Sequence, residues 1–327
     1  MQLASRSLRD PEMQAAATAA ADALERGFFP AQTPPPRPSR SFEIVTDDGR
    51  RLAVDAYVPE GPAKARLLLA PAMGVLRRFY GRFLDDLRSH GVASLVLDYR
   101  GIGGSRDTSI RSERARLSDW GELDLTAATR ALVGLDIETE PGAPLWFFGH
   151  SVGGQLFGLM RGAPYDAAYL VGSQAGYWKH WDGASRLAMA ALWFGAIPLF
   201  SSTVGYLPMR AFGQGEDIPD GVAREWATWG RDPSYVGLRA SQIDGSGYAT
   251  WSRRLRAVSI EDDGYAPERA VRALVDLYVA ADGDVARVLP SEHGARAIGH
   301  FGFFQPRHRA TLWADARRWL FGARTKG

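Results

Sequence analysis

The residues best suited to chemistry in this sequence lie at 149–153, where Gly-His-Ser-Val-Gly fits the pattern Gly-x-Ser-x-Gly. An apolar run over 145–148 precedes the pattern and is typical of a buried strand, and residues 155–160 are compatible with a helix. A strand that turns abruptly into a helix forces its central residue to a positive φ, and flanking glycines lack the Cβ that would collide there. The Ser151 hydroxyl would then stand above the sheet, with the Val152 N–H directed to the same space. We predict Ser151 as a nucleophile; the alternative is a tight turn with an inert serine.

Serine is a weak nucleophile unless a general base accepts its proton as it attacks. The sequence contains six histidines. His150 belongs to the turn itself and is expected to point away from the hydroxyl. His300 lies after the last predicted strand and before the final predicted helix, in Ile298-Gly299-His300-Phe301-Gly302. His300 is one of the five other histidines that could act as the base, and its alternative role is a core histidine bonded to backbone groups.

Four motifs together make the chain resemble an α/β-hydrolase, and within that superfamily the bacterial proteins near the serine aminopeptidase-like and lysophospholipase-like groups. The motifs extend over the chain from about Ser41 to the C-terminus and are more specific for the fold than for the substrate. They are Ala70-Pro71-Ala72-Met73-Gly74, Asp98-Tyr99-Arg100-Gly101-Ile102-Gly103-Gly104-Ser105, Gly149-His150-Ser151-Val152-Gly153-Gly154 and Gly299-His300-Phe301-Gly302.

The resemblance implies a catalytic triad in the chain order Ser…Asp/Glu…His. His300 occupies the position at which the family carries its base. In related sequences the acid commonly lies about four residues ahead of a proline that begins the next helix; Pro267 has that place here and favours Asp263. Asp262 remains the alternative. Two further acids are poorer candidates because they precede the last predicted strand: Asp282 and Asp284.

The resemblance also implies an oxyanion hole built from two backbone N–H groups. One is that of Val152, directly after the nucleophile. The other is that of Met73, because Pro71-Ala72-Met73-Gly74 stands where the family often carries His-Gly-x-Gly. This departure removes a histidine but keeps a backbone donor.

Composition limits the classes of function. A chain of 327 residues with 46% hydrophobic and 23% charged residues is ordinary for a globular protein with a large core. The formal net charge is only +2 and the basic residues are dispersed, so nucleic acid is not an expected partner. The absence of cysteine excludes disulfides and thiolate chemistry. We expect neither a metal nor a cofactor, and, without a signal-peptide pattern, a cytoplasmic location.

Strand and helix patterns alternate from Ser41 onward, which predicts a doubly wound, mostly parallel α/β sheet. Residues 41–173 and 255–327 would form the two parts of this core. Residues 1–40 would be an N-terminal arm, with a helix from Pro11 to Arg26 and a polyproline linker at 34–38.

Residues 174–254 interrupt the alternation and are expected to form a helical cap insertion. The stretch from Leu187 to Pro208 has no charged residue, and it is long enough to span a bilayer. Its glycine, serine and proline content instead favours an apolar cap helix, or a pair of helices with a break at Pro198. We expect no stable membrane span. Trp193 and Phe194 are the candidate substrate-binding residues.

The residues and the resemblance together predict a cofactor-independent serine hydrolase acting on an ester, in preference to an amide or thioester. Its substrate would be a small-molecule ester, with a lipophilic acyl chain if the cap contacts it. Two alternatives stay open: an acyltransferase that uses the same triad, and a catalytically silent ligand-binding protein on the same fold.

Overall fold

The computed structural model of the chain describes residues 35–322. The helix predicted from Pro11 to Arg26, and most of the predicted N-terminal arm, lie outside the described residues.

Eight strands form one central sheet, and two short strands form a separate hairpin. The central order is β1-β2-β4-β3-β5-β6-β9-β10. Within this central sheet the pairs β1–β2 and β2–β4 are antiparallel, and the other five pairs are parallel. The predicted mostly parallel, doubly wound sheet is therefore confirmed. The strands are β1 (Arg40–Val45), β2 (Arg51–Tyr57), β3 (Ala65–Ala70), β4 (Val92–Leu97), β5 (Leu145–His150), β6 (Ala167–Val171), β7 (Tyr206–Leu207), β8 (Ile218–Pro219), β9 (Arg254–Ile260) and β10 (Asp282–Val288).

Helices lie on both faces of the sheet. They are α1 (Gly81–Ser89), α2 (Leu117–Asp119), α3 (Leu125–Val133), α4 (Val152–Phe157), α5 (Gly183–Ala191), α6 (Ile197–Thr203), α7 (Asp220–Arg231), α8 (Gly237–Ala240), α9 (Gly247–Thr250), α10 (Glu268–Val275), α11 (Gly299–Gly302) and α12 (Ala314–Phe321). Two π-helical turns join neighbours into longer helices: Trp120–Asp124 connects α2 to α3, and Leu192–Ala196 connects α5 to α6.

Each face of the sheet buries its own apolar core, because successive side chains of a strand point to opposite faces. In β3, Leu68 contributes to the core that includes α3 and α4, and Leu67 contributes to the core that includes α1 and α12. All six residues of β4 are buried, as expected for a strand covered on both faces. Each fully buried leucine or valine stabilises the fold by roughly 1.5–3 kcal/mol relative to an exposed one.

The residues between β6 and β9, 172–253, are called the inserted segment or insertion below. They are mostly helical and pack on the same face of the sheet as α3 and α4. Trp193, Val222 and Trp229 belong to that core. Ser118 lies in α2, which begins at Leu117 with Arg116 as its N-cap. The Ser118 hydroxyl donates to Glu225 of α7 at 3.0 Å, which connects the core to the inserted segment.

Helix Gly183–Thr203 runs through the position where a break was expected. Pro198 lies in the first turn of α6, directly after the π-helical turn. A proline clashes with the carbonyl four residues earlier and donates no hydrogen bond, and the wider turn accommodates both effects without ending the helix. The helix is long and apolar enough to cross a membrane by length and composition alone, with 11% of its most apolar window buried.

Candidate active site

The predicted site residues converge on one edge of the sheet. Ser151 follows β5, Asp263 follows β9, and Met73 follows β3. His300 lies in α11, beyond the end of β10. The carboxyl ends of parallel strands meet at a single edge, which is where open α/β sheets place their functional residues.

The turn at Ser151 is strained, and its three glycine positions have no room for a Cβ. Ser151 has φ 51° and ψ −119°, a region that residues other than glycine rarely adopt. A Cβ on Gly149 would lie 2.6 Å from the Gly154 Cα, and one on Gly153 would lie 2.1 Å from the Ala70 carbonyl oxygen. A Cβ on Gly154 would lie 2.1 Å from the Ser173 hydroxyl. The predicted abrupt strand-to-helix turn is present, and its tight packing includes a third glycine outside the five-residue pattern.

Asp263 and His300 form a buried pair. The His300 Nδ1 lies 2.7 Å from Asp263 Oδ2. The other oxygen, Oδ1, accepts the N–H groups of Tyr265 at 2.9 Å and Ala266 at 3.1 Å. The carboxylate is therefore fixed from its own loop, and one oxygen is free to orient the imidazole. Among the described residues Ser151 makes no direct side-chain hydrogen bond with His300; in ligand-free enzymes such contacts are often long and tighten with substrate.

Asp262, the alternative acid, has a different set of partners. Its two carboxylate oxygens accept the N–H groups of Ile298 at 2.8 Å and Gly299 at 3.0 Å. Asp262 thus holds the backbone just ahead of His300, whereas Asp263 contacts the ring. The two poorer candidates, Asp282 and Asp284, lie at the start of β10, away from the carboxyl edge.

Gly172 is a site residue that the sequence reasoning missed. It follows β6 with φ 58°, and a Cβ there would lie 3.1 Å from Asp263 Oδ2 and from His300 Nδ1. A side chain at this residue would press on both members of the pair, which would have to move by a few tenths of an ångström. A glycine directly after a fully buried strand was the available signal.

The two predicted oxyanion donors lie on well-held backbone. Val152 is the first residue of α4, so its N–H has no intrahelical acceptor. Met73 lies between two anchored neighbours: the Ala72 N–H donates to the Tyr80 hydroxyl at 2.8 Å, and the Gly74 carbonyl accepts the Glu216 N–H at 2.8 Å. Among the described residues the Met73 N–H donates to no backbone carbonyl, which leaves it available to a ligand.

The inserted segment contacts the site through residues 214–216, a second feature missed in the sequence. The Tyr265 ring lies 5.3 Å from that of His300, and its hydroxyl donates to Gln214 Oε1 at 3.0 Å. The Glu216 N–H donates to the carbonyl of Gly74, the residue after the predicted oxyanion donor Met73. One short segment therefore bonds to both the loop of the acid and the loop of the oxyanion donor.

Trp193 and Phe194 occupy unequal positions. Trp193 is fully buried, its indole N–H donates to the Gly176 carbonyl at 3.1 Å, and its ring packs on Trp226. Phe194 is 54% exposed and lies 5.1 Å from the guanidinium of Arg231. The structure gives Trp193 a packing role inside the insertion, and substrate contact by either residue stays a prediction. Among the described residues no group of three or more acidic or histidine side chains could hold a metal ion.

Comparison with known proteins agrees with this architecture. The model of the serine aminopeptidase family S33 matches residues 61–222. A soluble variant of the monoglyceride lipase of Saccharomyces cerevisiae, solved in complex with a substrate analogue, is 14% identical and superposes with a TM-score of 0.60 over 90% of this chain and 99% of that chain. A thermophilic esterase from Thermogutta terrifontis is 15% identical, with a TM-score of 0.53 over 88% of this chain and 100% of that chain.

An esterase from Pyrococcus furiosus is 14% identical, with a TM-score of 0.52 over 86% of this chain and 92% of that chain. At these identities the likeness concerns the fold. With the eight-stranded, mostly parallel sheet, it shows that the chain has the α/β-hydrolase fold, and the match to the S33 family model over residues 61–222 agrees with this.

Proposed function

We propose that this α/β-hydrolase is a serine hydrolase that cleaves a carboxylic ester through an acyl-enzyme intermediate. The observation that carries the proposal is the convergence of a strained Ser151 and a buried His300–Asp263 pair on one edge of the sheet. A strained serine persists only where the surrounding structure holds it, and such residues cluster at active sites.

In the proposed first half-reaction the Ser151 oxygen attacks the ester carbonyl and His300 Nε2 takes the serine proton. Asp263 accepts a hydrogen bond from Nδ1–H and stabilises the imidazolium without taking that proton. The carbonyl oxygen becomes an oxyanion that accepts the N–H groups of Met73 and Val152, each worth about 2.7–4 kcal/mol of transition-state stabilisation. When the intermediate collapses, the C–O bond to the leaving group breaks and His300 donates its proton to the departing alcohol.

In the second half-reaction a water molecule attacks the acyl-enzyme carbonyl. His300 takes the water proton, and Ser151 regains a proton as the acid leaves. Neither half-reaction requires a metal or cofactor, because proton transfer and oxyanion stabilisation come from the chain itself.

The substrate we propose is a small ester with an apolar acyl chain, with residues 174–254 serving as the cap. Three observations support this: residues 214–216 contact both site loops, the inserted helix exposes apolar side chains, and a structural neighbour is a monoglyceride lipase. The apolar side chains are Leu187, Phe194 and Leu199. We place the enzyme in the cytoplasm.

Activity profiling with a fluorophosphonate probe tests the nucleophile. Ser151→Ala should abolish labelling and esterase turnover, and its free energy of unfolding should stay within about 1–2 kcal/mol of the wild type because one small hydroxyl is removed. Ser112→Ala, at an exposed serine outside the site, is the control and should label fully. Undiminished turnover in Ser151→Ala would remove Ser151 from the mechanism. Product analysis with added alcohol distinguishes hydrolysis from acyl transfer.

A further inference from the structure

A chain of buried hydrogen bonds behind the candidate site connects three separate elements. The Ala72 N–H donates to the Tyr80 hydroxyl oxygen at 2.8 Å, and that oxygen lies 2.8 Å from His150 Nδ1. The His150 Nε2 in turn lies 3.0 Å from the backbone carbonyl oxygen of His300. Tyr80 and His150 are both fully buried. The chain joins the loop after β3, the end of β5 and the segment that carries His300.

The chemistry of the groups allows a single direction of donation along this chain. The His300 carbonyl can only accept, so the proton of the neutral His150 ring resides on Nε2. Nδ1 is then an acceptor and takes the proton of the Tyr80 hydroxyl. The Tyr80 oxygen uses a lone pair to accept the Ala72 N–H. Burial lowers the pKa of His150 well below its usual value, which keeps the ring neutral and this arrangement intact.

Each contact lies at, or one residue from, a group of the proposed mechanism. Ala72 precedes the oxyanion donor Met73, and His150 precedes the nucleophile Ser151. The third contact is the backbone of His300 itself. A displacement of about 1 Å at such groups can reduce a rate about a hundredfold. A hydrogen-bond chain that fixes all three positions would therefore affect the rate of catalysis directly.

We propose that Tyr80 and His150 are positioning residues that hold the oxyanion loop, the nucleophile and the base in a fixed mutual geometry. The role rests on the proposed function, because it acts through Met73, Ser151 and His300 and not on the substrate. The rings themselves are fixed by edge and tilted contacts with Phe304, at 4.9 Å from Tyr80 and 4.7 Å from His150.

Tyr80→Phe is the main test, with Tyr165→Phe as its matched control. Tyr165 is also a buried tyrosine whose hydroxyl bonds to a side chain, Thr129 Oγ1 at 2.6 Å, but it precedes β6 at the opposite edge of the sheet. Tyr80→Phe removes two buried hydrogen bonds, those with Ala72 and His150, and Tyr165→Phe removes one, that with Thr129. We expect kcat on p-nitrophenyl butyrate to fall at least about tenfold in Tyr80→Phe with KM within about threefold, and kcat to stay within about twofold in Tyr165→Phe.

A second variant, His150→Phe, tests whether the two residues act together. It removes both ring nitrogens and keeps an aromatic ring in the space. If the chain of bonds acts as a unit, the double variant Tyr80→Phe/His150→Phe should lose little more kcat than the worse single variant. Losses that multiply would mean two independent structural effects and would overturn the proposal.

The outcomes separate this proposal from the proposed function. Wild-type protein that neither labels with fluorophosphonate nor hydrolyses esters would overturn both. A labelled, active wild type together with a Tyr80→Phe variant as active as Tyr165→Phe would overturn the positioning role alone. Nitrogen-15 histidine spectra of the wild type do not depend on how any variant folds: the neutral Nε2–H tautomer of His150 is expected, and an Nδ1–H tautomer would contradict the bond directions.

Discussion

The strained conformation of Ser151 is maintained by the close packing of the residues around it. Its positive φ carries a strain of about 1–3 kcal/mol, which the packing of three glycines against backbone and Ser173 must offset. The backbone conformation of Ser151 directs its hydroxyl toward the site, and the N–H of Val152 points in the same direction. At the scale of single residues, therefore, the site depends as much on absent side chains as on reactive ones.

The two neighbouring carboxylates should differ in a measurable way. Asp263→Asn replaces the oxygen that accepts from His300 Nδ1 with an amide that favours the wrong tautomer, and kcat should fall by about 10³–10⁴. Asp262→Asn leaves the tautomer intact but places an NH₂ group against one of two backbone N–H donors, so the backbone ahead of His300 loosens and kcat should fall about tenfold. Steady-state kinetics of both purified variants measure the difference. If Asp262→Asn were the more damaging change, Asp262 would be the acid.

Local pattern predicted some of these residues and missed others for a physical reason. Ser151 lies in a spacing whose steric requirement can be read along the chain, and His300 and Asp263 follow from the order of elements that the family resemblance implies. The contact of Gly172 with the Asp263–His300 pair, and that of Tyr80 with His150, exist only because segments distant in the sequence approach each other. No spacing in the sequence records such an approach.

At the scale of elements, the loop that carries the predicted oxyanion donor Met73 is held from both sides. The Tyr80 hydroxyl accepts the Ala72 N–H and the Glu216 N–H donates to the Gly74 carbonyl, so Met73 is fixed between the turn ahead of α1 and the inserted segment. Gly74 has φ 66°, and a Cβ there would lie 2.8 Å from the Glu216 carbonyl oxygen. The position of the donor therefore depends on close backbone contact with the insertion.

Gly74→Ala should disturb that contact and lower kcat by about 10²–10³, the effect of losing one oxyanion donor. Gly162→Ala is its matched control, because Gly162 also has a positive φ, 56°, with nothing within 4 Å of an added Cβ. Both substitutions place alanine at a positive φ, with a backbone penalty of about 1–2 kcal/mol, which thermal unfolding will report. Equal kcat losses in the two variants would mean that backbone strain, and not the contact with Glu216, controls the site.

The elements themselves were predicted where their patterns are local and strong. The mostly apolar runs at 65–70 and 92–97 form β3 and β4, because parallel strands covered on both faces are rich in apolar residues along their whole length. β10 begins at Asp282, earlier than its apolar residues suggest, since an exposed edge strand needs no apolar start. The π-helical turn ahead of Pro198 has no recognisable sequence pattern. Because a proline inside a helical segment usually ends or kinks the helix, the sequence predicts a break where the structure has a continuous helix.

At the scale of the whole molecule, the insertion and the sheet share one apolar core. Trp193, on the helix Gly183–Thr203, is part of that core, while Leu187, Phe194 and Leu199 on the same helix are 71%, 54% and 58% exposed. Trp193→Ala would leave a cavity and destabilise the protein by about 3–5 kcal/mol, so its kinetics would mix folding with binding. Phe194 is the better probe of substrate contact, because removing an exposed ring leaves the core intact.

The acyl chain of the substrate should be recognised by apolar contact with the insertion. Each methylene buried there contributes roughly 0.8 kcal/mol, so kcat/KM on p-nitrophenyl esters should rise more than tenfold from acetate to about hexanoate or octanoate. Phe194→Ala should flatten this rise more than it lowers the activity on acetate. Val133→Ala, which also truncates an exposed apolar side chain but lies on α3, is the control and should leave the profile unchanged. A wild-type kcat/KM as high on the acetate ester as on the octanoate ester would mean that the insertion covers the core without binding the acyl chain. The substrate would then be sought among short or polar esters.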